Sequence, residues 1–260
     1  MAGVQFVDTP AGRIEYRWAG SALRDAALPV LVFLHEGLGC VTLWKDFPDQ
    51  VAQATGLPAL VYSRIGYGGS SACALPRPIT YMHDEGEAGL PDLLAALGIQ
   101  SHILIGHSDG ASISLIYAGA KERDGLQGVA VMAPHVFCED VSVRSIRAAD
   151  KAYAEGDLKA RLAKYHGDNV DCAFRGWCDS WLNPEFHHWN IEAYVDRIKV
   201  PVVVIQGEDD EYGTAAQVES IRQRTAAETL LIPGCGHSPQ RDQPAATLKA
   251  LTGFIHSLGF

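Results

Sequence analysis

Short apolar runs alternating with longer, polar, helix-patterned stretches set the rhythm of this chain. Residues 30–34, 59–63, 102–106, 129–133 and 202–206 are dense in Val, Ile and Leu, as strands buried on both faces of a parallel sheet are. A further run at 228–232 is followed by helical spacing from Pro244 to about Leu258, with Pro in the first turn, where it is tolerated. The spacing between the runs predicts helices over 43–54, 84–97, 111–121 and 214–224. At the amino end, 4–9 and 12–18 alternate around a Pro-Ala-Gly turn, the pattern of an antiparallel hairpin at a sheet edge. Strand and helix taking turns in this way predicts a doubly wound, mostly parallel α/β sheet.

Residues 136–196 break the rhythm. No strand pattern occurs there, and the spacing is helical: Leu158, Leu162 and Tyr165 share one helix face, as do Phe174, Trp177 and Trp181. The stretch holds three of the chain's five Trp residues, and Asn183-Pro184 marks a break inside it. The expectation is a core of 1–135 and 197–260 with 136–196 inserted as a helical cap. Most of the cap aromatics would form its own core. A cap over a sheet usually shields a site, and Trp177, Trp181 and Phe137 are the candidates to wall a substrate pocket.

Composition narrows the class. At 260 residues the chain suits one α/β core, able to bury roughly three quarters of its unfolded surface. With 47% hydrophobic and 20% charged residues, disordered and fibrous classes are excluded. A net charge of −10 without a basic block argues against a nucleic-acid partner. The start, MAGVQFVDTP, lacks the features of a signal peptide, and the apolar runs are too short to span a bilayer. A cytoplasmic chain that does not engage membranes is expected. The six cysteines, Cys40, Cys73, Cys138, Cys172, Cys178 and Cys235, lack CxxC or zinc-ribbon spacing and read as reduced, structural thiols. A homodimer would form through cap or edge surfaces.

The strongest chemical signal is Gly106-His107-Ser108-Asp109-Gly110, between the run His-Ile-Leu-Ile and a helical stretch beginning Ala-Ser-Ile-Ser-Leu. A serine on so tight a strand-to-helix turn is forced into strained backbone angles that lift its hydroxyl above the sheet. Larger side chains two positions to either side would collide there. A serine hydroxyl needs a base. Among ten histidines, His237 stands in a Gly-rich loop after the last strand, Pro233-Gly234-Cys235-Gly236-His237. That base must be neutral, so activity is expected to fall in acid. His187-His188 lack the clustered partners of a metal site and read as cap surface. The base needs an orienting carboxylate, and Gly207-Glu208-Asp209-Asp210-Glu211 follows a strand at the carboxyl edge of the sheet. Asp210 is the first choice within that run and Asp209 the second.

Serine, acid and histidine in that chain order, on this strand-helix pattern, resemble the α/β-hydrolase fold superfamily over nearly the whole chain. The resemblance implies the acid at Asp210, three residues after Gly207, and the base at Gly236-His237. It implies an oxyanion-hole loop in His35-Glu36-Gly37-Leu38-Gly39, with donors from Glu36 or Gly37 and from Asp109, each contributing about 3 kcal/mol. It places the cap between the sixth and seventh strands. The stretch Tyr62-Ser63-Arg64-Ile65-Gly66-Tyr67-Gly68-Gly69-Ser70 departs from the family pattern, with Ser63 at an Asp position and Ile65 at an Arg position. The activity implied is that of a cofactor-free serine hydrolase, without a metal, acting on an ester or thioester of a small, mainly apolar molecule. Carbon–carbon hydrolase, lactonase and perhydrolase chemistry share the triad, and a few members of the fold only bind ligands. Two acids beside the nucleophile, Glu36 and Asp109, would disfavour carboxylates near the scissile bond, although a carboxylate in the first turn of a helix is favoured anyway.

Overall fold

The computed structural model describes residues 3–20, 28–121 and 123–260. Eight strands form one sheet: β1 (Gln5–Thr9), β2 (Gly12–Ala19), β3 (Val30–Leu34), β4 (Ala59–Ser63), β5 (His102–His107), β6 (Leu126–Met132), β7 (Val202–Gly207) and β8 (Glu228–Ile232). Their spatial order is β1-β2-β4-β3-β5-β6-β7-β8. β1 and β2 form the expected hairpin, Thr9 opposite Gly12, and β2 runs antiparallel to β4. All later neighbours are parallel.

The central strands β3, β4 and β5 are buried on both faces, which is why they read as unbroken apolar runs. Alternate residues feed two cores. Val32, Leu60 and Leu104 pack on one face of the sheet, while Leu31, Phe33, Val61, Ile103 and Ile105 pack on the other. The first face carries α2 (Tyr81–Asp84), α3 (Leu90–Ala96) and α4 (Asp109–Ala120); the second carries α1 (Phe47–Thr55) and the C-terminal helix (Pro244–Ser257). The hydrophobic α4 has nearly every residue buried, as expected of a helix at the centre of the fold.

Two predicted helices are interrupted, both at prolines. The 43–54 expectation resolves into a 3-10 turn, Val41–Trp44, and then α1, because Pro48 fits only the first turn of a helix. The 84–97 expectation starts earlier, at Tyr81, and passes through a π-turn, Glu85–Gly89, before α3. Pro91 lacks an N–H and crowds the preceding turn, and the widened π-turn absorbs both effects. The strand expected over 129–133 begins at Leu126 and stops at Met132, since Ala133 takes a left-handed φ of 48°.

Between β6 and β7 lie α5 (Asp140–Glu155), α6 (Leu158–His166), α7 (Val170–Trp181), a 3-10 turn at Pro184–His188 and α8 (Glu192–Val195). Asn183 caps that turn by accepting from Glu185 N–H at 3.0 Å. Phe174 stacks on Tyr153 with ring centroids 3.7 Å apart, and Trp177 meets Phe174 edge-on. Tyr165, expected on the buried face of α6, is instead 42% exposed.

The strand order reverses around β3, whose sequence neighbour β4 lies on one side and β5 on the other. Loops leaving β3 and β5 therefore diverge to opposite faces and open a crevice at the carboxyl edge of the sheet, where open α/β sheets bind ligands. This topology sets the residue 35–39 loop beside the turn at Ser108.

Candidate active site

The turn after β5 is built from steric necessity. Ser108 adopts φ 54° and ψ −119°, a strained conformation for a residue with a side chain. A Cβ on Gly106 would lie 2.4 Å from Gly110 O, and one on Gly110 would lie 2.1 Å from Leu34 O. Only glycine at both positions lets α4 start so close to β5 and β3. Ser108 N–H donates to Met132 O at 2.9 Å, tying the turn to β6. Asp109 is the first residue of α4, so its N–H belongs to the set that has no partner within the helix and faces outward.

Above this turn the chain brings together the three residues singled out by pattern. His237 Nε2 lies 2.9 Å from Ser108 Oγ, and His237 Nδ1 lies 2.8 and 3.0 Å from the two oxygens of Asp210. Asp210 Oδ1 also accepts from Tyr212 N–H at 2.8 Å and Gly213 N–H at 3.2 Å. Burial alone would raise the Asp210 pKa, but the bonds and charge from His237, with help from the Tyr212 N–H, outweigh it and hold the carboxyl below its usual range. An ionised Asp210 fixes the proton on Nδ1 and leaves the Nε2 lone pair toward the serine. Asp209 is exposed, and its N–H donates to Cys235 O. The cap secures the acid loop: on α5, Ser142 Oγ donates to Tyr212 O at 2.5 Å and Ser145 Oγ to Glu211 O at 2.6 Å.

The residue 35–39 loop is held from beneath by Arg64, only 1% exposed. Its Nη1 donates to His35 O and its Nη2 to Glu36 O at 3.0 Å. Glu36 O also accepts from His35 Nδ1 at 2.7 Å and from Gly39 N–H at 3.1 Å. The His35 tautomer is fixed as well, because Nε2 accepts from Arg64 N–H at 3.1 Å. Burial, reinforced by the Arg64 charge, pushes the His35 pKa well down and keeps the ring neutral. With both carbonyls pinned, the Glu36 and Gly37 N–H groups, anti to them across trans peptides, have fixed directions. Gly37 also meets the cap, where a Cβ would stand 2.3 Å from Trp177 Cδ1. Where the resemblance implies Asp, Ser63 Oγ accepts from Val41 N–H at 2.9 Å and donates to Glu15 at 2.6 Å. The departure thus keeps an acceptor in place and moves its negative charge onto β2.

A cavity of about 270 Å³ lies over Ser108. Leu38, Ile146, Leu162, Trp177 and Trp181 supply apolar wall; Glu36, Glu211, Tyr212 and Arg241 supply the polar part. Trp177 and Trp181 line this cavity. Phe137 does not. Its backbone bridges to Asn190 and is held by the Gln217 amide, which leaves the ring packed on the core and outside the cavity lining.

The expectation for the two acids also divides. Glu36 borders the cavity; burial works against its charge, yet the His107 imidazole, 3.5 Å away, brings its pKa down to about 2. The Asp109 carboxyl is fully buried, and Oδ2 accepts from Tyr81 OH at 2.5 Å, which in turn accepts from Trp181 Nε1 at 3.0 Å. Burial raises its pKa despite the charge of Arg64. Both residues line the cavity, but the Asp109 carboxyl is engaged by Tyr81 and ties the elbow to the cap, which leaves the Glu36 carboxyl as the acid available to a bound molecule.

His187 and His188 sit exposed on their 3-10 turn, and among the described residues no cluster of three or more His, Cys, Asp or Glu could hold a metal ion. No helix of the described residues is long and apolar enough to cross a membrane.

Two residues at the site carry roles that no sequence pattern assigns. Arg64 hid in a stretch notable for its divergence. His135, 2% exposed, lines the cavity with its ring 5.1 Å from Trp181 and 5.7 Å from His237. Ser112 Oγ donates to His135 O at 2.6 Å, and the left-handed Ala133 turns the chain toward the site. Burial, then the neighbouring His237, push the His135 pKa down to about 3. Its position just past β6, at the edge where the loops converge, was the available signal.

Comparison with known proteins agrees with this architecture. Over 261 aligned residues the chain is 27% identical to a 2-succinyl-6-hydroxy-2,4-cyclohexadiene-1-carboxylate synthase of Klebsiella pneumoniae (strain 342), covering 90% of this chain and 96% of that one. It is 23% identical to a proline iminopeptidase of Lactobacillus helveticus (strain DPC 4571), covering 80% and 83%. The structure superposes on that of an esterase from Rhodococcus sp. ECU1013 with a TM-score of 0.72 and 19% identity, covering 99% and 100%. The family model that describes the Alpha/beta hydrolase family matches residues 31–250, and with so much of the chain covered, this protein belongs to that family.

Proposed function

We propose that this chain is a cofactor-free serine hydrolase that cleaves an ester or thioester of a small, mainly apolar molecule through an acyl-enzyme. The observation that carries the reading is the continuous line Ser108 Oγ, His237, Asp210, with contacts of 2.9 and 2.8 Å beneath a cavity. Ser108 attacks the carbonyl carbon while His237 Nε2 takes the hydroxyl proton, and Asp210 stabilises the imidazolium. The oxyanion is met by N–H groups of Asp109 and of the loop that Arg64 fixes, with Gly37 and Glu36 as the donors on that side. His237 then gives its proton to the leaving group. Water, deprotonated by the same ring, releases the acid. A cavity of about 270 Å³ lies at the small end for ligand sites and suits a small acyl or alcohol group against Trp177 and Trp181.

The test is a fluorophosphonate probe with a panel of short-chain nitrophenyl esters and thioesters, applied to the wild type and to Ser108→Ala. Labelling at Ser108 and turnover, both lost in the variant, support the reading; a fully active Ser108→Ala overturns it. Similarity to the iminopeptidase supports a second reading, in which the same residues act on an amide bond, and the same triad can equally serve carbon–carbon or lactone hydrolysis. A probe-labelled enzyme that ignores every ester but turns over a vinylogous diketone, a lactone or a prolyl amide would favour it.

A further inference from the structure

The cap meets the core along a seam with a regular spacing. His166, Asn169 and Cys172, three residues apart along the chain from the end of α6 into the first turn of α7, meet the segment that follows β4. His166 Nδ1 accepts from Gly68 N–H at 3.1 Å, and its Nε2 donates to Leu38 O at 3.0 Å. Asn169 Nδ2 donates to Gly68 O at 3.1 Å and to Ser70 O at 2.6 Å. At the third position two cysteines face each other. Cys172 Sγ donates to Cys73 O at 3.4 Å, and Cys73 Sγ reaches Cys172 O at 4.0 Å.

These two thiols differ from the other four. Cys40, Cys178 and Cys235 are buried; Cys73 and Cys172, like Cys138, are half-buried, within reach of solvent oxidants, and these two face each other. Arg77 Nε donates to Cys73 Sγ at 3.2 Å. The guanidinium therefore stands directly against the sulfur that faces Cys172. Burial and the neighbouring sulfur raise the Cys172 pKa, so it remains a thiol and can serve as the resolving partner. Arg77 is itself wedged at the seam, where a Cβ on Gly176 of α7 would lie 2.8 Å from its Cδ.

We propose that Cys73 and Cys172 form an oxidation-sensitive pair that hydrogen peroxide closes into a disulfide between core and cap. The Cys73 thiolate attacks one peroxide oxygen, the O–O bond breaks, and hydroxide leaves behind a sulfenic acid. Cys172 sulfur then attacks Cys73 sulfur, the S–O bond breaks, and the Cys172 proton leaves with the hydroxyl as water. Both sulfurs are oxidised and peroxide is reduced to water. The new bond would fix α7, which carries Trp177 and Trp181 into the cavity, to the segment after β4. Crosslinks that join residues so far apart in sequence stabilise folded chains, provided the bridge fits without strain.

The test reads chemistry rather than turnover, so its outcome is independent of the proposed hydrolase activity. The full-length protein is treated with hydrogen peroxide, blocked with N-ethylmaleimide, digested without reductant and analysed by mass spectrometry. The expected result is a peptide pair joined at Cys73 and Cys172, with free thiols falling from six to four and recovering with dithiothreitol. Tm should rise on oxidation and return on reduction. Cys172→Ser should yield no joined peptide and a dimedone adduct at Cys73. The proposal is overturned if treated wild type shows no Cys73–Cys172 peptide, or if Cys172→Ser still loses two of its five remaining thiols to a disulfide under the same treatment.

Discussion

His102 offers a clean measure of what buried, neutral imidazoles contribute to this fold. It opens β5 at the far end from Ser108, is 2% exposed, and stands edge-on to Tyr117 at 5.5 Å. Neither ring nitrogen has a hydrogen-bond partner among the described residues. Burial, with the Arg123 charge adding to it, pushes its pKa from 6.5 down to about 4. Between those values the unfolded chain binds a proton that the folded protein refuses. Stability from this residue is therefore intact above pH 6.5, falls as pH drops below it, and levels off near pH 4. The loss is negligible at pH 8 and about 2 kcal/mol at pH 5. His102→Leu removes the titrating group at nearly constant volume, and its packing cost is the same at both pH values. Urea unfolding of both proteins at pH 8 and pH 5 isolates the effect, because every other titration cancels in the double difference. The variant should gain about 2 kcal/mol on the wild type between pH 8 and pH 5. A difference that stays within about 0.5 kcal/mol, the usual limit of additivity, would refute the reasoning.

Three further outcomes follow from the site. In Asp210→Asn, Oδ1 keeps the Tyr212 and Gly213 N–H groups, so the amide nitrogen takes the Oδ2 place 3.0 Å from His237 Nδ1, competes with the Nδ1 proton and removes the charge that stabilises the imidazolium; kcat should fall on the order of 10³–10⁴-fold with KM little changed, and steady-state kinetics check this. Arg64→Lys keeps the buried charge but cannot reach both the His35 and Glu36 carbonyls; kcat should fall roughly 10–100-fold, while urea unfolding shows a smaller loss than in Arg64→Met, where the loss is about 3–5 kcal/mol. Glu36, ionised across the working range, should make an anionic ester on its side of the cavity a poorer substrate than its neutral match by about 10–30-fold in kcat/KM. Glu36→Gln should narrow that gap, and equal values across the wild-type series at fixed ionic strength would remove the idea.

The parts of the fold visible in the sequence are those where one local rule decides the outcome. The apolar runs of β3, β4 and β5 announce burial on both faces, and Gly106 and Gly110 announce a turn that tolerates no side chain. The helices broken at Pro48 and Pro91 were misjudged because apolar periodicity continues across them, while the missing N–H of proline acts over one turn only. Phe137 shows the limit of composition: its aromatic character was right for a pocket wall, but Gln217, 80 residues later, determines where its backbone lies. Arg64 was illegible for the same reason, and Asp109, legible as a donor beside the nucleophile, gave no sign that its carboxyl would be enclosed. Their partners lie in the loop after β3, on α2 and in the cap, and no local pattern marks a charge that will be enclosed.

These enclosed groups gather where the proposed chemistry requires stiffness. A buried guanidinium and a buried carboxyl cost stability that well-packed apolar residues would not, and a left-handed serine adds strain. At Arg64 the two hydrogen bonds go to the carbonyls whose peptide partners are the proposed oxyanion donors. At Asp109 the bond runs through Tyr81 to Trp181, a wall of the cavity. An apolar core could fill the same volume, but it could not set the direction of a peptide N–H, because dispersion contacts have no preferred axis and hydrogen bonds do. The polar residues under the elbow therefore make sense as orienting elements, and their charge-conserving substitution should disturb kcat before it disturbs the fold.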